Sequence, residues 1–435
     1  MTKTDSPQTE AKGQMPFRRH VFYLPGYDPF PPRRYRELYR KEAAAQLAVT
    51  GGTLRLAPKG AQGWTVSATL GTPVTAEIEV LVWSDIVQGS MDQGIAATYW
   101  QLFRTARTYI ASGALARLMK LRKGPMIAAL YPIAVLILQA LIALAAGAAV
   151  GAGATALSHP ALGLIAGLAA AYATLRWFRA QDHRIFAHYL MHDYAFTAAL
   201  NGANSPALEA RMAEFRARIA ASLTEGADEV LVVGHSSGAH LAVSILADLL
   251  RADLLRDGLL RADLLRDDLL RDDLLRPDLL RADLPAAHPA LGFLSLGQVI
   301  PMVSFLPDAH RLRADLAYLS TEDRITWVDV TAPGDGCAFA LCDPVAVSGV
   351  APPGKRWPLV LSAAFTQTLS PERWKALRWK FFRLHFQYLC AFDRPGDYDY
   401  FAITAGPLTL AQRFAHRQPS KSRIETPVNR YRDVA

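Results

Sequence analysis

Cysteine is scarce in this chain: the only three among its 435 residues are Cys337, Cys342 and Cys390. An odd number of cysteines does not suit a disulfide framework, so we expect reduced thiols. Three thiols are also too few for a zinc site with four thiolate ligands. We therefore interpret Cys337, although it lies near Asp335, as a packing residue, and we expect neither a metal nor a cofactor.

Acidic residues are outnumbered by basic ones, 39 to 47, which leaves a formal net charge of +8. A basic balance is compatible with nucleic-acid binding, but the sequence contains no basic groove interleaved with aromatics and no zinc-finger spacing. We therefore expect no nucleic-acid partner. The length is sufficient for one large domain with insertions.

Charge is absent from one long stretch, because no Asp, Glu, Lys or Arg occurs from Met126 through Leu175. The first apolar run, Met126 to Val150, exceeds the about 20 apolar residues that cross a bilayer as a helix. A connection rich in Gly and Ala follows, and a second apolar run continues from Ala161 to Leu175. The pattern predicts a transmembrane helical hairpin over residues 125–178, with a re-entrant or interfacial hairpin as the alternative.

Basic residues flank this hairpin on both sides: Arg117, Lys120, Arg122, Lys123, Arg176, Arg179 and Arg184. Because such residues accumulate in cytoplasmic segments, we expect both ends of the hairpin on the cytoplasmic side of a bacterial inner membrane. The same residues favour a bilayer with anionic headgroups as the partner. The first twenty residues carry charges and have no apolar core, so we expect no signal peptide there.

The pentapeptide Gly234-His235-Ser236-Ser237-Gly238 follows the apolar run Val230–Val233 and precedes the apolar stripe of residues 239–250. A G-x-S-x-G sequence between a strand and a helix is typical of a nucleophile elbow. The serine occupies a strained turn that exposes its hydroxyl, and larger side chains in place of Gly234 and Gly238 would collide with the strand or the helix. Ser236 is therefore the candidate nucleophile.

The acid and the histidine are expected after the serine, in that order. Asp335 lies in the Pro- and Gly-containing turn that follows a predicted strand over 325–330, where a triad acid belongs. Asp329, inside that strand, is the competing acid. The candidate acid is Asp335.

Only His385 and His416 follow Asp335. We prefer His385, at the exit of a predicted last strand over Trp379–Leu384; a helix over Pro371–Ala391 with His385 inside it is the alternative. His416 lies in a basic C-terminal stretch that we expect to be unanchored. His235 and His240 are too close to the serine in sequence to reach its hydroxyl, and we expect them to pack around the elbow.

Negative charge that develops on an acyl oxygen requires fixed hydrogen-bond donors. One candidate is the backbone N–H of Ser237, directly after the nucleophile. The other is the N–H of Tyr27, with that of Asp28 as the alternative, in the turn where the predicted strand 20–25 ends in Pro25-Gly26.

The motifs GHSSG at Ser236, APGD at Asp335 and LPGY at residues 24–27, together with His385, resemble those of α/β-hydrolase-fold serine hydrolases, the esterases, lipases and thioesterases. This resemblance implies an α/β fold with a doubly wound, mostly parallel sheet and a Ser-His-Asp triad. The early loop departs from the family, since PGYD replaces its histidine-glycine oxyanion motif. Patatin-like lipases, which pair the serine with an Asp-Gly aspartate, are the alternative family.

The predicted organisation is a disordered leader, three hydrolase segments separated by the hairpin and by a repeat, and a basic tail: 1–17, 18–124, 125–178, 179–250, 251–284, 285–410 and 411–435. Strands outside the motifs are expected at 53–57, 64–69, 76–83 and 294–303.

The repeat at 251–284 consists of six five-residue units of the RADLL type and a partial one. A pentapeptide-repeat β-helix would bury aspartates without partners, which is costly. In a continuous helix, a period of five spreads the leucines around the whole surface, since each unit advances by about 140°. We favour a tandem expansion of the helix after the elbow, helical near its start and without a catalytic role.

The sequence thus predicts a membrane-anchored serine hydrolase that acts on an ester or thioester of an amphiphilic, acyl-chain-bearing substrate. The alternative is a catalytically weak or inactive hydrolase-fold protein that serves as a membrane scaffold, with the hairpin and the repeat as its working parts.

Overall fold

The computed structural model describes residues 15–91, 94–268 and 289–434. Within these residues, eight strands form one sheet in the order β2-β3-β4-β1-β5-β6-β7-β8. Their bounds are β1 Phe17–Leu24, β2 Thr53–Lys59, β3 Gly63–Leu70, β4 Thr72–Val80, β5 Glu229–His235, β6 Ala290–Leu296, β7 Ile325–Thr331 and β8 Leu359–Ser362. Six adjacent strands, from β4 to β8 in this order, are parallel, and β2 and β3 are antiparallel at one edge. The prediction of an α/β fold with a mostly parallel sheet is confirmed.

Helices cover both faces of the sheet. Their bounds are α1 Pro32–Thr50, α2 Ser84–Met91, α3 Ile95–Ala111, α4 Ala114–Leu118, α5 Lys123–Leu157, α6 Pro160–Ala180, α7 Asp182–Ile185, α8 Ala187–Ala198, α9 Pro206–Ser222, α10 Gly238–Asp268, α11 Ile300–Ser304, α12 His310–Thr321, α13 Pro344–Val347, α14 Phe365–Thr368, α15 Pro371–Leu377, α16 Phe381–His385, α17 Tyr400–Ala405 and α18 Leu410–Phe414. A 3-10 helix, Phe386–Leu389, follows α16.

The sheet has a separate hydrophobic core on each face, because successive residues of a strand point to opposite sides. Tyr23 and Val233 pack with the buried side chains of α1, α17 and α18, whereas Phe22 and Val232 pack with those of α9, α10 and α12. Burial on both faces explains why the central strand β5 is an almost continuous apolar run.

Helices α5 and α6 form the predicted hairpin, and both are long and apolar enough to cross a membrane. Only 22% and 11% of their most apolar windows are buried within the protein. A Cβ on Gly147 would lie 2.7 Å from the carbonyl oxygen of Gly167, and one on Gly151 would lie 3.0 Å from that of Gly163. These glycines, four residues apart on each helix, let the two backbones approach closely, as small residues do between membrane helices.

The first units of the repeat continue α10 to Asp268, which agrees with the interpretation that the repeat is helical near its start. Residues 269–288, and with them the rest of the 251–284 prediction, lie outside the described residues. Residues 1–14 of the predicted leader also lie outside them.

One predicted strand of the sheet is wrong in its bounds, and one observed strand was not predicted. The predicted strand 294–303 ends early, because β6 stops at Leu296 and the chain then turns at Gly297, whose φ of +53° does not continue a strand. The following residues form the helix α11 instead. Strand β8, only four residues long, was not predicted.

Candidate active site

Ser236 lies in the turn between β5 and α10 with a φ of +56°, the left-handed region that few residues other than glycine adopt. Its N–H donates a hydrogen bond to the carbonyl oxygen of Leu296 (2.9 Å) at the end of the neighbouring strand. A Cβ on Gly234 would lie 2.8 Å from the Cα of Ala239, and one on Gly238 would overlap the carbonyl oxygen of Leu24. Ser236 therefore has the strained backbone expected of an elbow serine, and neither position 234 nor position 238 has room for a side chain.

Asp335 and His385 are in direct contact, although 50 residues separate them. His385 Nδ1 lies 2.8 Å from Asp335 Oδ2, and both residues are buried. Asp335 lies in the loop after β7, where its N–H donates to the carbonyl oxygen of Ala332. His385 does not follow a strand: the predicted strand Trp379–Leu384 is wrong, because Phe381–His385 is the helix α16.

Tyr388, which the sequence reasoning missed, is the third member of this hydrogen-bond network. Its hydroxyl donates to Asp335 Oδ2 (3.0 Å) and accepts from the N–H of Ala332 (3.0 Å). The other oxygen of Asp335 accepts from the N–H of Cys337 (2.9 Å). Tyr388 follows His385 by three residues within a helical stretch, so the two side chains are on neighbouring positions of one face. This spacing of three residues is the feature of the sequence from which Tyr388 could have been predicted.

The competing acid, Asp329, is placed elsewhere. Its Oδ1 accepts a hydrogen bond from the Ser295 hydroxyl (2.5 Å), which in turn accepts from the Trp327 indole N–H (2.9 Å). Burial raises the pKa of the Asp329 carboxyl to about 8. We interpret Asp329 as a structural residue between β6 and β7.

The competing histidine, His416, is exposed. The surrounding C-terminal segment is nevertheless packed, contrary to the prediction that it is unanchored. Ile424 pairs with Cys342 in a β-bridge, and the buried Asn429 side chain donates to the carbonyl oxygen of Ser304 (2.9 Å). The segment is held by these contacts with distant parts of the chain, which its basic composition did not reveal.

His235 packs against the catalytic candidate His385, as expected for a residue around the elbow. Its Nε2–H donates to the carbonyl oxygen of His385 (3.0 Å), and the two ring centroids are 4.8 Å apart. Burial, together with the nearby His385, lowers the pKa of His235 to about 3. A neutral His235 thus holds the backbone of His385 in place.

Ser236 and His385 both lie next to the end of β6. The serine bonds to Leu296, and a Cβ on Gly297 would lie 3.1 Å from His385 Cε1. Within the described residues, the half-buried Ser236 hydroxyl makes no hydrogen bond. Hydrogen bonds of this kind are often loose in a free enzyme and tighten when substrate binds.

The two predicted oxyanion donors flank the serine. Ser237 is the next residue, and Tyr27 follows Gly26, whose Cβ would lie 2.8 Å from the Cβ of Ser236. In the described parts of the chain, the amides of Tyr27 and Ser237 have no hydrogen-bond acceptor. Both N–H groups are therefore available at the elbow.

A second carboxyl group, that of Asp193 on α8, lies near the site. Tyr189 and Phe196 of the same helix contact Tyr27, through a hydrogen bond from the Tyr189 hydroxyl to the Tyr27 carbonyl oxygen and a ring contact of 5.6 Å. Asp193 follows Tyr189 by four residues and precedes Phe196 by three, so the three side chains share one face of α8, the face towards Tyr27. Burial raises the pKa of Asp193 to about 7, and the charge of His385 opposes this shift. No sequence motif identified Asp193.

Asp335, Cys337 and His385 also have the spacing of a metal site, since their ligand atoms lie within 4.8 Å of one another. However, burial and the nearby Asp335 raise the pKa of the Cys337 thiol well above its usual range. Asp335 Oδ2 and His385 Nδ1 are instead hydrogen-bonded to each other (2.8 Å).

Comparisons of the chain with protein-family models, curated proteins and solved structures found no match. The geometry itself brings the three predicted residues Ser236, Asp335 and His385 to one end of the sheet, close to the carboxyl ends of β5, β6 and β7. In open α/β sheets, this is the end where ligands bind.

Proposed function

We propose that this chain is a membrane-anchored serine hydrolase of the α/β-hydrolase fold that cleaves an ester or thioester of an amphiphilic, acyl-chain-bearing substrate. The observation that carries the proposal is the buried 2.8 Å contact between His385 Nδ1 and Asp335 Oδ2, next to a serine in a strained strand-to-helix turn. The pair favours a triad over the serine-aspartate dyad of patatin-like enzymes, because a dyad has no use for a histidine held in this way.

In the proposed mechanism, His385 Nε2 accepts the proton of Ser236 while the serine oxygen attacks the carbonyl carbon of the substrate. The negative charge on the substrate oxygen is stabilised by the N–H groups of Tyr27 and Ser237. His385 then donates the proton to the leaving alcohol or thiol, and the acyl group remains on Ser236. Asp335 stays ionised throughout, holds the imidazole with its proton on Nδ1 and stabilises the imidazolium.

A water molecule completes the cycle. His385 removes a proton from the water as it attacks the acyl-enzyme carbonyl, and the proton passes to the Ser236 oxygen when the bond breaks. The products are a carboxylic acid and the alcohol or thiol released before it. Each bond that forms is thus matched by one that breaks, and no redox partner is required.

Membrane attachment is proposed from the hairpin. Large apolar side chains on α5 and α6 are exposed, among them Leu141 (58%), Leu164 (65%) and Leu168 (63%). Soluble proteins rarely leave a continuous apolar surface of this kind in water. Basic residues lie at both ends of the hairpin, and no Lys or Arg occurs from Met126 through Leu175. This distribution favours insertion with both ends on the cytoplasmic side.

The test of catalysis is labelling of the full-length, detergent-solubilised protein with a fluorophosphonate, which reacts with activated serines. We expect labelling of the parent protein and of Ser67→Ala, an exposed serine on β3, and no labelling of Ser236→Ala. We also expect His385→Ala to lose about 10⁶-fold in kcat for a short p-nitrophenyl ester, whereas His416→Ala keeps parental activity. An unlabelled parent protein would favour the inactive membrane scaffold.

The test of attachment is extraction of membranes with alkaline carbonate. We expect the full-length chain to stay in the membrane pellet and to need detergent for release. Protease added from the side opposite the catalytic domain should cut only at the α5–α6 connection around Ser158. Release by carbonate would show that the hairpin is a peripheral or folded-in element.

A further inference from the structure

The residues directly before His385 form an exposed segment with alternating basic and aromatic side chains: Arg378, Trp379, Lys380, Phe381, Phe382 and Arg383. We call these residues the basic aromatic segment. Trp379 is 73% exposed and Phe381 is 46% exposed, values that are unusual for aromatic side chains in water. The buried residues Leu384 and His385 follow the segment directly, so a surface that covers the segment lies next to the candidate active site.

The charge of this region has one sign. No Asp or Glu occurs from Arg373 through Phe392. Among the described residues, Arg378, Lys380 and Arg383 are exposed and form no ion pair, and the Arg378 guanidinium lies 5.6 Å from the ring centroid of Trp379. Exposed cations beside exposed aromatic rings match an anionic lipid surface, where headgroups take the charges and the rings enter the boundary region.

The segment also contacts the foot of the hairpin. The ring of Phe382 lies 4.8 Å from that of Phe186, which follows the hairpin. Phe186 is tied to α5 in turn, because the Tyr131 hydroxyl donates to the carbonyl oxygen of the preceding Ile185 (2.7 Å). If the hairpin enters a bilayer, the basic aromatic segment is therefore beside its point of entry.

The loop that carries Asp335 contacts both the basic aromatic segment and the start of the hairpin. A Cβ on Gly336, next to Asp335, would lie 3.1 Å from Phe381 Cδ1. A Cβ on Gly124, in the first turn of α5, would lie 3.3 Å from the Cα of Gly336. The start of the hairpin, the loop that carries the acid and the basic aromatic segment thus meet at one place.

We propose that the basic aromatic segment rests on the anionic surface of the bilayer and that the active site takes its acyl substrate directly from that leaflet. This inference rests on the proposed function and names the physical state of its substrate, a lipid-like ester that resides in the membrane. In this proposal, the lipid surface is what covers the basic aromatic segment. Contact of this segment with a second copy of the chain is one of the outcomes that the test below distinguishes.

The first experiment measures lipid contact and needs no catalysis. The full-length variant Phe381→Cys is labelled with a nitroxide in nanodiscs of phosphatidylglycerol, and the signal of the labelled parent protein is subtracted. Leu408→Cys is the matched control, because Leu408 is also 46% exposed. Its carbonyl oxygen accepts a hydrogen bond from Arg19, near the start of β1. Leu408 therefore lies at the end of the sheet opposite the candidate active site. We expect oxygen, which concentrates in lipid, to relax the label at 381, and a water-soluble nickel complex to relax the label at 408.

The second experiment measures delivery of substrate. In the same nanodiscs, we expect Lys380→Glu to raise the apparent KM for a long-chain fluorogenic ester about tenfold, with kcat unchanged, because reversing a charge removes attraction to anionic lipid. Turnover of a water-soluble short-chain ester should stay at the parental value. Arg55→Glu, an equal charge change on the exposed edge strand β2, should change neither constant.

The outcomes separate this inference from the proposed function. If the short ester is hydrolysed but the label at 381 is as accessible to nickel as the label at 408, the lipid contact is wrong and the hydrolase assignment stands. Protection of position 381 from both relaxing agents, as at a contact between two copies of the chain, would also overturn it. If no ester is hydrolysed, the accessibility measurement still decides whether the segment lies on lipid.

Discussion

Replacement of Asp335 with Asn tests how the site holds its histidine. Asp335 Oδ2 accepts from His385 Nδ1 and from the Tyr388 hydroxyl, and Oδ1 accepts from the N–H of Cys337. An asparagine has the same shape but only one acceptor oxygen, so its NH2 group faces a donor in either orientation. When NH2 faces His385, Nδ1 must become an acceptor and the proton moves to Nε2. That nitrogen can then no longer accept the proton of Ser236.

The size of the effect follows from this change of tautomer. A histidine held in the wrong tautomer lowers kcat by about 10⁴-fold in a serine triad. At 1.36 kcal/mol for each factor of ten, this is about 5.4 kcal/mol of activation free energy. Asp329→Asn is the matched control, because it makes the same chemical change at a buried aspartate that bonds to Ser295. We expect it to lower kcat by less than about tenfold.

The assay is kcat for a short p-nitrophenyl ester with full-length protein in detergent, and thermal unfolding checks that each variant is folded. A folded Asp335→Asn protein with kcat within tenfold of the parent would refute the role of Asp335. Equal losses in Asp335→Asn and Asp329→Asn would refute the assignment of one aspartate as catalytic and the other as structural.

Three further predictions concern residues around this network. Gly26→Ala would place a Cβ 2.8 Å from the Cβ of Ser236 and 3.3 Å from its Oγ. Because the new methyl group would displace the serine, we expect kcat to fall at least about a hundredfold with little change in melting temperature. An unchanged rate of ester hydrolysis would contradict this packing. Tyr388→Phe removes one donor to Asp335, and we expect about a tenfold loss in kcat and about 1–2 kcal/mol in the free energy of unfolding, measured by ester turnover and urea denaturation. Burial raises the pKa of Asp193 to about 7, so between about pH 4 and pH 7 the folded protein holds a proton that the unfolded chain has released. The free energy of unfolding of the parent should therefore fall relative to that of Asp193→Asn, by on the order of 2 kcal/mol, between pH 5 and pH 8, and equal pH dependences in urea denaturation would count against it.

The residues around Ser236 could be predicted because their structure depends on near neighbours. A buried strand, a turn that requires two small residues and an apolar helix follow one another within about twenty residues, and each requirement is visible in the type of residue. The two hairpin helices were predictable for a similar reason. In a helix, the backbone N–H and C=O groups of these fifty uncharged residues bond to one another, so helix formation there does not depend on contacts with the rest of the chain.

The surroundings of His385 were harder to predict, because the segment has no periodic pattern that separates a strand from a helix. Its aromatic residues favour a strand by propensity. The structure instead forms the short helix α16, whose Leu384 and His385 are buried while Phe381 stays exposed. Tertiary contacts with the hairpin foot and the acid loop outweigh the local preference.

By itself, then, the sequence determined the strand-turn-helix at Ser236, the helical hairpin and the order of the acid and the histidine. Only the tertiary structure decided that Asp335 rather than Asp329 contacts His385, that Tyr388 completes the network and that Asp193 lies beside it. These outcomes depend on interactions between residues far apart in the chain, from 50 positions for Asp335 and His385 to more than 190 for Asp193 and His385. Such contacts form only when the sheet and its helices pack, so no local pattern of residue types records them.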